Sequence, residues 1–159
     1  MKREIIKDLL KWKESSNRKP LIVHGARQVG KTYIIKQFGK ENYNNLIYVN
    51  FETNQEFSSQ ISEHIDAKYI INKLELFYGE KILPGKTLIF FDEIQANERA
   101  LTALKYFYED APEYHVIAAG SLLGVAINRE NYSFPFLNDS YYQLSFVSII
   151  CIHYHLKNF

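Results

Sequence analysis

The sequence predicts an α/β fold with three layers, in which a mostly parallel central sheet of about five strands lies between helices. Short apolar runs that suit strands alternate with longer stretches whose apolar residues recur at helical spacing. Strands and helices that alternate along a chain form a parallel sheet. In addition, residues 87–91 are apolar without interruption, which is typical of a central strand covered on both faces.

The first half of the chain begins with an amphipathic helix. An apolar face with charged residues elsewhere predicts this helix over residues 2–16. The apolar run 20–24 predicts the first strand, and helical spacing over 32–38 predicts the next helix, with Gly39 as its stop. Residues 46–51 predict the second strand.

The second half continues the alternation. Residues 54–78 predict a helical stretch with one or two breaks, and the third strand follows at 87–91. Residues 98–108 predict a helix, and 115–119 predict the fourth strand. A fifth strand is a candidate at 141–146.

Composition limits the class of protein. The chain has 159 residues, of which 47% are apolar and 23% charged, as in a soluble globular domain. The net charge of +1 leaves a nucleic-acid partner open but without support. The single cysteine excludes an internal disulfide and favours a reducing, cytoplasmic setting. No secretory signal is apparent, and the longest apolar run near the end is too short to span a membrane.

Residues 25–32, G-A-R-Q-V-G-K-T, match the phosphate-binding pattern G-x-x-x-x-G-K-[ST]. A strand is predicted before the motif and a helix after it, which is the arrangement that the motif requires. A plain glycine turn between strand and helix is the alternative. The motif predicts nucleotide contacts at nine residues: Gly25, Ala26, Arg27, Gln28, Val29, Gly30, Lys31, Thr32 and Tyr33.

The residue types of the motif suit phosphate. Gly25 and Gly30 permit a tight turn and a close approach to phosphate oxygens. The amides of residues 29–32 would converge at a helix N-terminus, which attracts anions. The Lys31 ammonium can reach the β- and γ-phosphates, and the Thr32 hydroxyl can bind Mg²⁺.

Two acidic residues follow the third strand directly. Asp92 would lie at the sheet edge where α/β proteins bind ligands and could hold Mg²⁺ beside Thr32. Glu93 could accept a proton from an attacking water, which favours hydrolysis over transfer to a small molecule. A cap on a turn or helix is the alternative role for this pair.

Polar residues also end the second and fourth strands. Ser121 follows the fourth strand, which in such a sheet would lie beside the glycine-loop strand. Its hydroxyl could contact the γ-phosphate or the attacking water, but a helix N-cap explains it equally well. Asn50 and Glu52 could orient Glu93, although a strand-end turn is the simpler interpretation.

Together these segments resemble the AAA+ ATPases, and most of all a prokaryotic family of AAA-type ATP-binding proteins. The resemblance runs from residue 2 to about 135 and is concentrated in residues 23–32, 49–52, 91–95 and 119–123. It implies a P-loop NTPase fold with ATP and Mg²⁺ as ligands. A homo-oligomer is also possible for such a protein. It also implies Walker A roles for Lys31 and Thr32, Walker B roles for Asp92 and Glu93, and the sensor-1 place for Ser121. Arg27 and Gln28 are characteristic of the family, but the sequence predicts no contact for either.

The end of the chain departs from this family. We expect an ATP-binding domain over 1–146, with 1–19 as helix and linker, and an atypical tail over 147–159. Relatives continue with a lid and a further domain, so we expect a truncated or frame-shifted member with weak or lost turnover. Arg99 and Arg129 are the candidates for an arginine finger. The hypotheses are therefore an ATPase, an ATP-binding protein without hydrolysis, and a nucleic-acid or protein interaction module.

Overall fold

A computed structural model describes residues 2–121 and 148–152 of the chain. The helices are α1 (Lys2–Glu14), α2 (Lys31–Asn42), α3 (Gln55–Glu63), α4 (Ala67–Tyr78) and α5 (Glu98–Asp110). The strands are β1 (Leu21–Gly25), β2 (Asn45–Asn50), β3 (Thr87–Asp92), β4 (His115–Gly120) and β5 (Ser148–Ile152), and a 3-10 turn spans Ile94–Ala96. Among these described elements, no helix is long and apolar enough to cross a bilayer.

The five strands form one sheet in the order β2-β3-β4-β1-β5. Each of the four neighbouring pairs is parallel. The predicted α/β fold with a parallel sheet of about five strands is confirmed. The fourth strand lies beside β1, as predicted, which brings the end of β4 next to the glycine loop.

Helices cover both faces of the sheet. Alternate strand residues point to opposite faces, so Leu21 and Val23 join a core with α1 and α2, while Ile22 joins the core with α3, α4 and α5. β3 is buried along its whole length, including the polar Thr87 and Asp92 at its two ends, and the apolar run between them predicts this burial. The three-layer prediction is therefore confirmed.

The fifth strand differs from the prediction. The candidate at 141–146 lies outside the described residues. The strand that pairs with β1 is β5, with Leu21 opposite Ser148 and Gly25 opposite Ile152. It lies in the segment that we expected to be an atypical tail. Its apolar, β-branched sequence explains how it can extend a buried sheet.

The expectation that Gly39 stops its helix is wrong. α2 continues to Asn42, and Gly39 is a buried residue inside it. A Cβ at Gly39 would lie 3.0 Å from Cδ1 of Leu46 and 3.1 Å from Cδ2 of Leu88. This glycine therefore permits close contact between α2 and the sheet instead of ending the helix.

A buried polar cluster ties α1 to the amino edge of the sheet. His115, the first residue of β4, is 5% exposed, and its Nδ1 lies 2.7 Å from the hydroxyl of Tyr43. Trp12 of α1 packs edge-on against the same imidazole. Burial, together with the positive charges of Arg18 and Lys13, lowers the pKa of His115 to about 4.

Candidate functional site

The glycine loop lies at the carboxyl edge of the sheet, between β1 and α2. Its left-handed residues are Gln28, with φ of 61°, and Gly30, with φ of 85°. We expected Gly25 to share in the tight turn, but Gly25 is the last, buried residue of β1. Gly30 precedes the first helical residue, and a Cβ built on it would meet nothing within 4 Å. The helix N-terminus therefore opens onto space that an anion can occupy.

Lys31 is held at this loop. Its side chain is buried, and Nζ donates to the carbonyl oxygens of Gly25 at 2.8 Å and Ala26 at 2.6 Å. Burial lowers the pKa of Lys31, while the negative charges of Glu93 and Asp92 act in the opposite direction. The ammonium thus lies between the loop backbone and the two acidic residues.

Thr32 and Asp92 meet, as the sequence predicted. Oγ1 of Thr32 donates to Oδ2 of Asp92 over 2.7 Å, which links the first turn of α2 to the end of β3. Asp92 is only 2% exposed, and its Oδ1 accepts the amide of Glu93 at 3.1 Å. A buried carboxylate needs such donors, because its desolvation is otherwise costly.

These two oxygens fit a magnesium site. Adjacent ligands of an octahedral Mg²⁺, each at about 2.0–2.1 Å from the ion, lie about 2.9 Å apart. The separation of 2.7 Å between Thr32 Oγ1 and Asp92 Oδ2 is close to this value. Within the described residues, no three His, Cys, Asp or Glu side chains form a metal-binding group. Magnesium does not require one, since water and phosphate oxygens usually complete its coordination.

Glu93 occupies a constrained position next to Asp92. Its backbone is left-handed, with φ of 49°, at the start of the 3-10 turn. Its Oε2 accepts a hydrogen bond of 2.5 Å from Nε2 of Gln95. The sequence analysis included Gln95 in the family resemblance but predicted no role for it, because an amide two residues after an acidic pair has no spacing signal of its own. The turn bends the chain back and brings the amide to the carboxylate.

Arg27 connects the glycine loop with two other loops at this edge. Its Nε donates to Oγ of Ser121 at 3.4 Å, and its guanidinium lies 3.7 Å from the carboxylate of Glu52. Its side chain is 66% exposed, so these contacts contribute little to stability. Ser121 lies directly after β4, beside the loop, as predicted. The alternative role of Ser121 as a helix N-cap depends on residues outside the described part of the chain, so it stays a prediction.

Asn50 makes the strand-end turn that we considered the simpler interpretation. Its Oδ1 accepts the amides of Glu52 at 2.9 Å and Thr53 at 3.2 Å. The residue that reaches the acidic pair from β2 is instead Tyr48, whose hydroxyl donates to Oδ2 of Asp92 at 3.0 Å. Burial first, then contacts with Asp92 and Glu93, raise the pKa of Tyr48 to about 12.

Sequence reasoning missed Tyr48 because it appeared only as part of an apolar strand. The available signal was its alternation with Ile47 and Val49, which places Tyr48 on the same face as Asn50.

The other candidates occupy the rim of the site or lie outside it. Val29 packs against the core of α1 and α2, and Tyr33 is 64% exposed on the first turn of α2. Arg99 is exposed on α5, and Arg129 lies outside the described residues. Their contacts with a nucleotide or a neighbouring subunit stay predictions.

Comparison with protein-family models gives a match over most of the chain. The family model described as AAA domain matches residues 17–139. No curated protein sequence is detectably similar to this chain.

Two solved structures are similar to the chain at low sequence identity. The Aeropyrum pernix Orc1 protein in complex with DNA has 15% identity and a TM-score of 0.48, over 81% of this chain and 40% of that one. A variant of the Thermotoga maritima RuvB protein has 13% identity and a TM-score of 0.46, over 76% of this chain and 39% of that one. The chain spans about two fifths of the length of each.

Proposed function

The chain belongs to the AAA domain family, and from this premise we propose that it binds ATP together with Mg²⁺ and hydrolyses the γ-phosphate. The observation that supports this most is the 2.7 Å hydrogen bond between Thr32 and Asp92. It joins the phosphate-binding motif to the acidic pair from a strand 60 residues later in the chain.

In the proposed complex, the loop would hold the phosphates. Backbone amides at the start of α2 would donate to the β-phosphate, and the Lys31 ammonium would exchange its loop carbonyls for phosphate oxygens. Thr32 and Asp92 would hold Mg²⁺, which neutralises charge on the β- and γ-phosphates. The exposed Arg27 guanidinium would add positive charge at the rim.

Glu93 would act as the base in hydrolysis. Its carboxylate takes a proton from water as the water oxygen bonds to the γ-phosphorus. The bond from that phosphorus to the β,γ-bridging oxygen breaks, and ADP and inorganic phosphate result. Gln95 would orient the carboxylate through the hydrogen bond to Oε2, and Ser121 would contact the γ-phosphate or the water.

The Lys31→Ala variant tests ATP binding. A hydrogen bond from a charged donor is worth about 1.5–3 kcal/mol, so we expect ATP affinity to fall roughly 10- to 100-fold. Isothermal titration calorimetry with ATP and Mg²⁺ measures it, and Lys40→Ala, an exposed lysine near the end of α2, is the matched control. Unchanged affinity in Lys31→Ala would contradict nucleotide binding at this loop.

The Glu93→Gln variant tests hydrolysis. We expect ATP affinity within about twofold of the wild type and phosphate release lowered at least 100-fold, since general-base catalysis contributes about 10²–10⁴-fold. Phosphate release is measured alongside binding. Wild-type binding without turnover would instead support the ATP-binding protein that does not hydrolyse. If the wild type binds no ATP, the remaining hypothesis is a nucleic-acid or protein interaction module.

A further inference from the structure

We infer that Tyr48 is a positioning residue that fixes the carboxylate of Asp92 for the magnesium ion. This inference rests on the proposed function, because it assigns a further residue to the same site. Neither the phosphate-binding motif nor the acidic pair contains Tyr48. Its assignment comes from the contacts that β2, β3 and α2 make with one another.

The sheet register brings Tyr48 to the acidic pair. β2 and β3 are parallel, with Tyr48 opposite Phe90 and Asn50 opposite Asp92. Residues two apart on a strand share a face, so Tyr48 and Asp92 both lie on the face covered by α2. Tyr48 lies two register positions before Asp92, and its long side chain extends to the carboxylate, where the hydroxyl lies 3.0 Å from Oδ2.

The Tyr48 hydroxyl completes a set of three donors around Asp92. Oδ2 accepts from Thr32 at 2.7 Å and from Tyr48 at 3.0 Å, and Oδ1 accepts the Glu93 amide at 3.1 Å. Donors on both oxygens prevent rotation of the carboxylate about its Cβ–Cγ bond. Thr32 is itself a proposed magnesium ligand, so Tyr48 is the side chain that orients Asp92 without binding the ion.

Tyr48 is itself held in place from several sides. Nζ of Lys36 lies 3.4 Å from the centre of its ring, and the ring packs against Phe90 at 5.3 Å between centroids. Its backbone carbonyl accepts a hydrogen bond from the Tyr78 hydroxyl. Lys36 lies one helical turn after Thr32. α2 therefore contacts the Asp92 carboxylate through Thr32 and the Tyr48 ring through Lys36.

The Tyr48→Phe variant tests this role, because it removes the hydroxyl and keeps the ring. ATP binding by the full chain is measured by calorimetry in EDTA and then across a Mg²⁺ titration. We expect unchanged ATP affinity in EDTA and a Mg²⁺ concentration for half-maximal enhancement that is roughly 2- to 10-fold higher, because loss of this hydrogen bond leaves the Asp92 carboxylate less well oriented. Tyr106→Phe, a partly buried tyrosine packed against the core on the other face of the sheet, is the control and should leave both values unchanged.

Three outcomes separate this inference from the proposed function. An unchanged Mg²⁺ requirement in Tyr48→Phe overturns the positioning role, and so does an equal loss of affinity with and without Mg²⁺, which would indicate a structural role. If the wild type binds ATP under neither condition, the proposed function itself fails. If Tyr48→Phe does not fold, Lys36→Met takes its place. We then expect the Mg²⁺ requirement to rise as well, and an unchanged Mg²⁺ requirement would overturn the inference.

Discussion

Gly30 determines the backbone geometry of the proposed phosphate site. Its φ of 85° lies in the left-handed region, which costs a residue with a Cβ about 1–2 kcal/mol. The space beyond it is open, because a Cβ added at this position would have no neighbour within 4 Å. A side chain there would therefore meet no protein atom, but it would lie in the loop that we propose binds phosphate.

Replacing Gly30 should lower both the stability of the fold and the affinity for ATP, for two different reasons. We expect Gly30→Ala to lower the free energy of unfolding by about 1–2 kcal/mol and to weaken ATP binding at least 10-fold, as the methyl group displaces phosphate. Urea unfolding and calorimetry measure the two effects.

Gly79 offers a matched control for that variant. It ends α4 with φ of 68° and also has open space around it, away from the loop. Gly79→Ala should lose similar stability and bind ATP normally. Equal loss of binding in both variants would mean that the effect comes from stability and not from the site.

Contacts between single residues of the candidate site were predictable mainly where a motif names the residues. The pattern of glycines, lysine and threonine, and an acidic pair after an apolar strand, predicted that Thr32 and Asp92 meet. The contacts of Tyr48 and Gln95 were missed because they depend on strand register and on a left-handed turn. Neither register nor backbone conformation is visible in residue spacing alone.

At the scale of elements, Asn97 joins α5 to α3. It is 6% exposed, and as the N-cap of α5 its Oδ1 accepts the amide of Ala100. Its Nδ2 donates to the carbonyl and hydroxyl oxygens of Ser58 and to the hydroxyl of Ser62. One buried amide thus starts a helix and fixes its position against another.

We expect Asn97→Ala to destabilise the protein by about 2–4 kcal/mol. The change removes an N-cap, worth about 1 kcal/mol, and takes away the Asn97 donor of the buried Ser58 hydroxyl. Asn54 caps α3 in the same way through the amide of Phe57 but is less buried, so Asn54→Ala should cost only about 1 kcal/mol. Urea unfolding of both variants measures the difference, and equal losses would argue against the link between helices.

Element types were easier to predict than element ends. Apolar spacing identified α1, α5 and the break between α3 and α4, because one buried face dictates that spacing. Gly39 was misassigned because a glycine can end a helix or permit close packing, and only the nearby Leu46 and Leu88 distinguish the two. The position of β5 was missed because its sequence departs from the family pattern.

At the scale of the whole molecule, the cluster around His115 makes stability depend on pH. Its imidazole contacts Trp12 and Tyr43. Burial, with the positive charges of Arg18 and Lys13, lowers its pKa to about 4 in the fold, against 6.5 when unfolded. As pH falls below 6.5, the unfolded chain gains a proton that the folded chain does not bind until about pH 4. Acid therefore favours unfolding through this residue.

We expect this histidine to account for roughly 3 kcal/mol of lost stability between about pH 7 and pH 4. Urea unfolding at several pH values measures the loss in the wild type and in His115→Gln, whose amide can still hydrogen-bond the Tyr43 hydroxyl. Carboxylates titrate in both proteins, so the histidine contributes the difference between the two curves. Parallel curves would mean that the imidazole titrates alike in the folded and unfolded chains.

The pairing of β1 with β5 has a consequence for biosynthesis. The strand that precedes the glycine loop is made early, but its outer neighbour ends at Ile152. At usual rates the ribosome needs on the order of ten seconds to add the intervening residues. Until β5 is made, β1 lacks its partner on that side, and an unpaired strand edge is a template for association with other chains. Translation is therefore a stage at which this edge of β1 can pair with another chain.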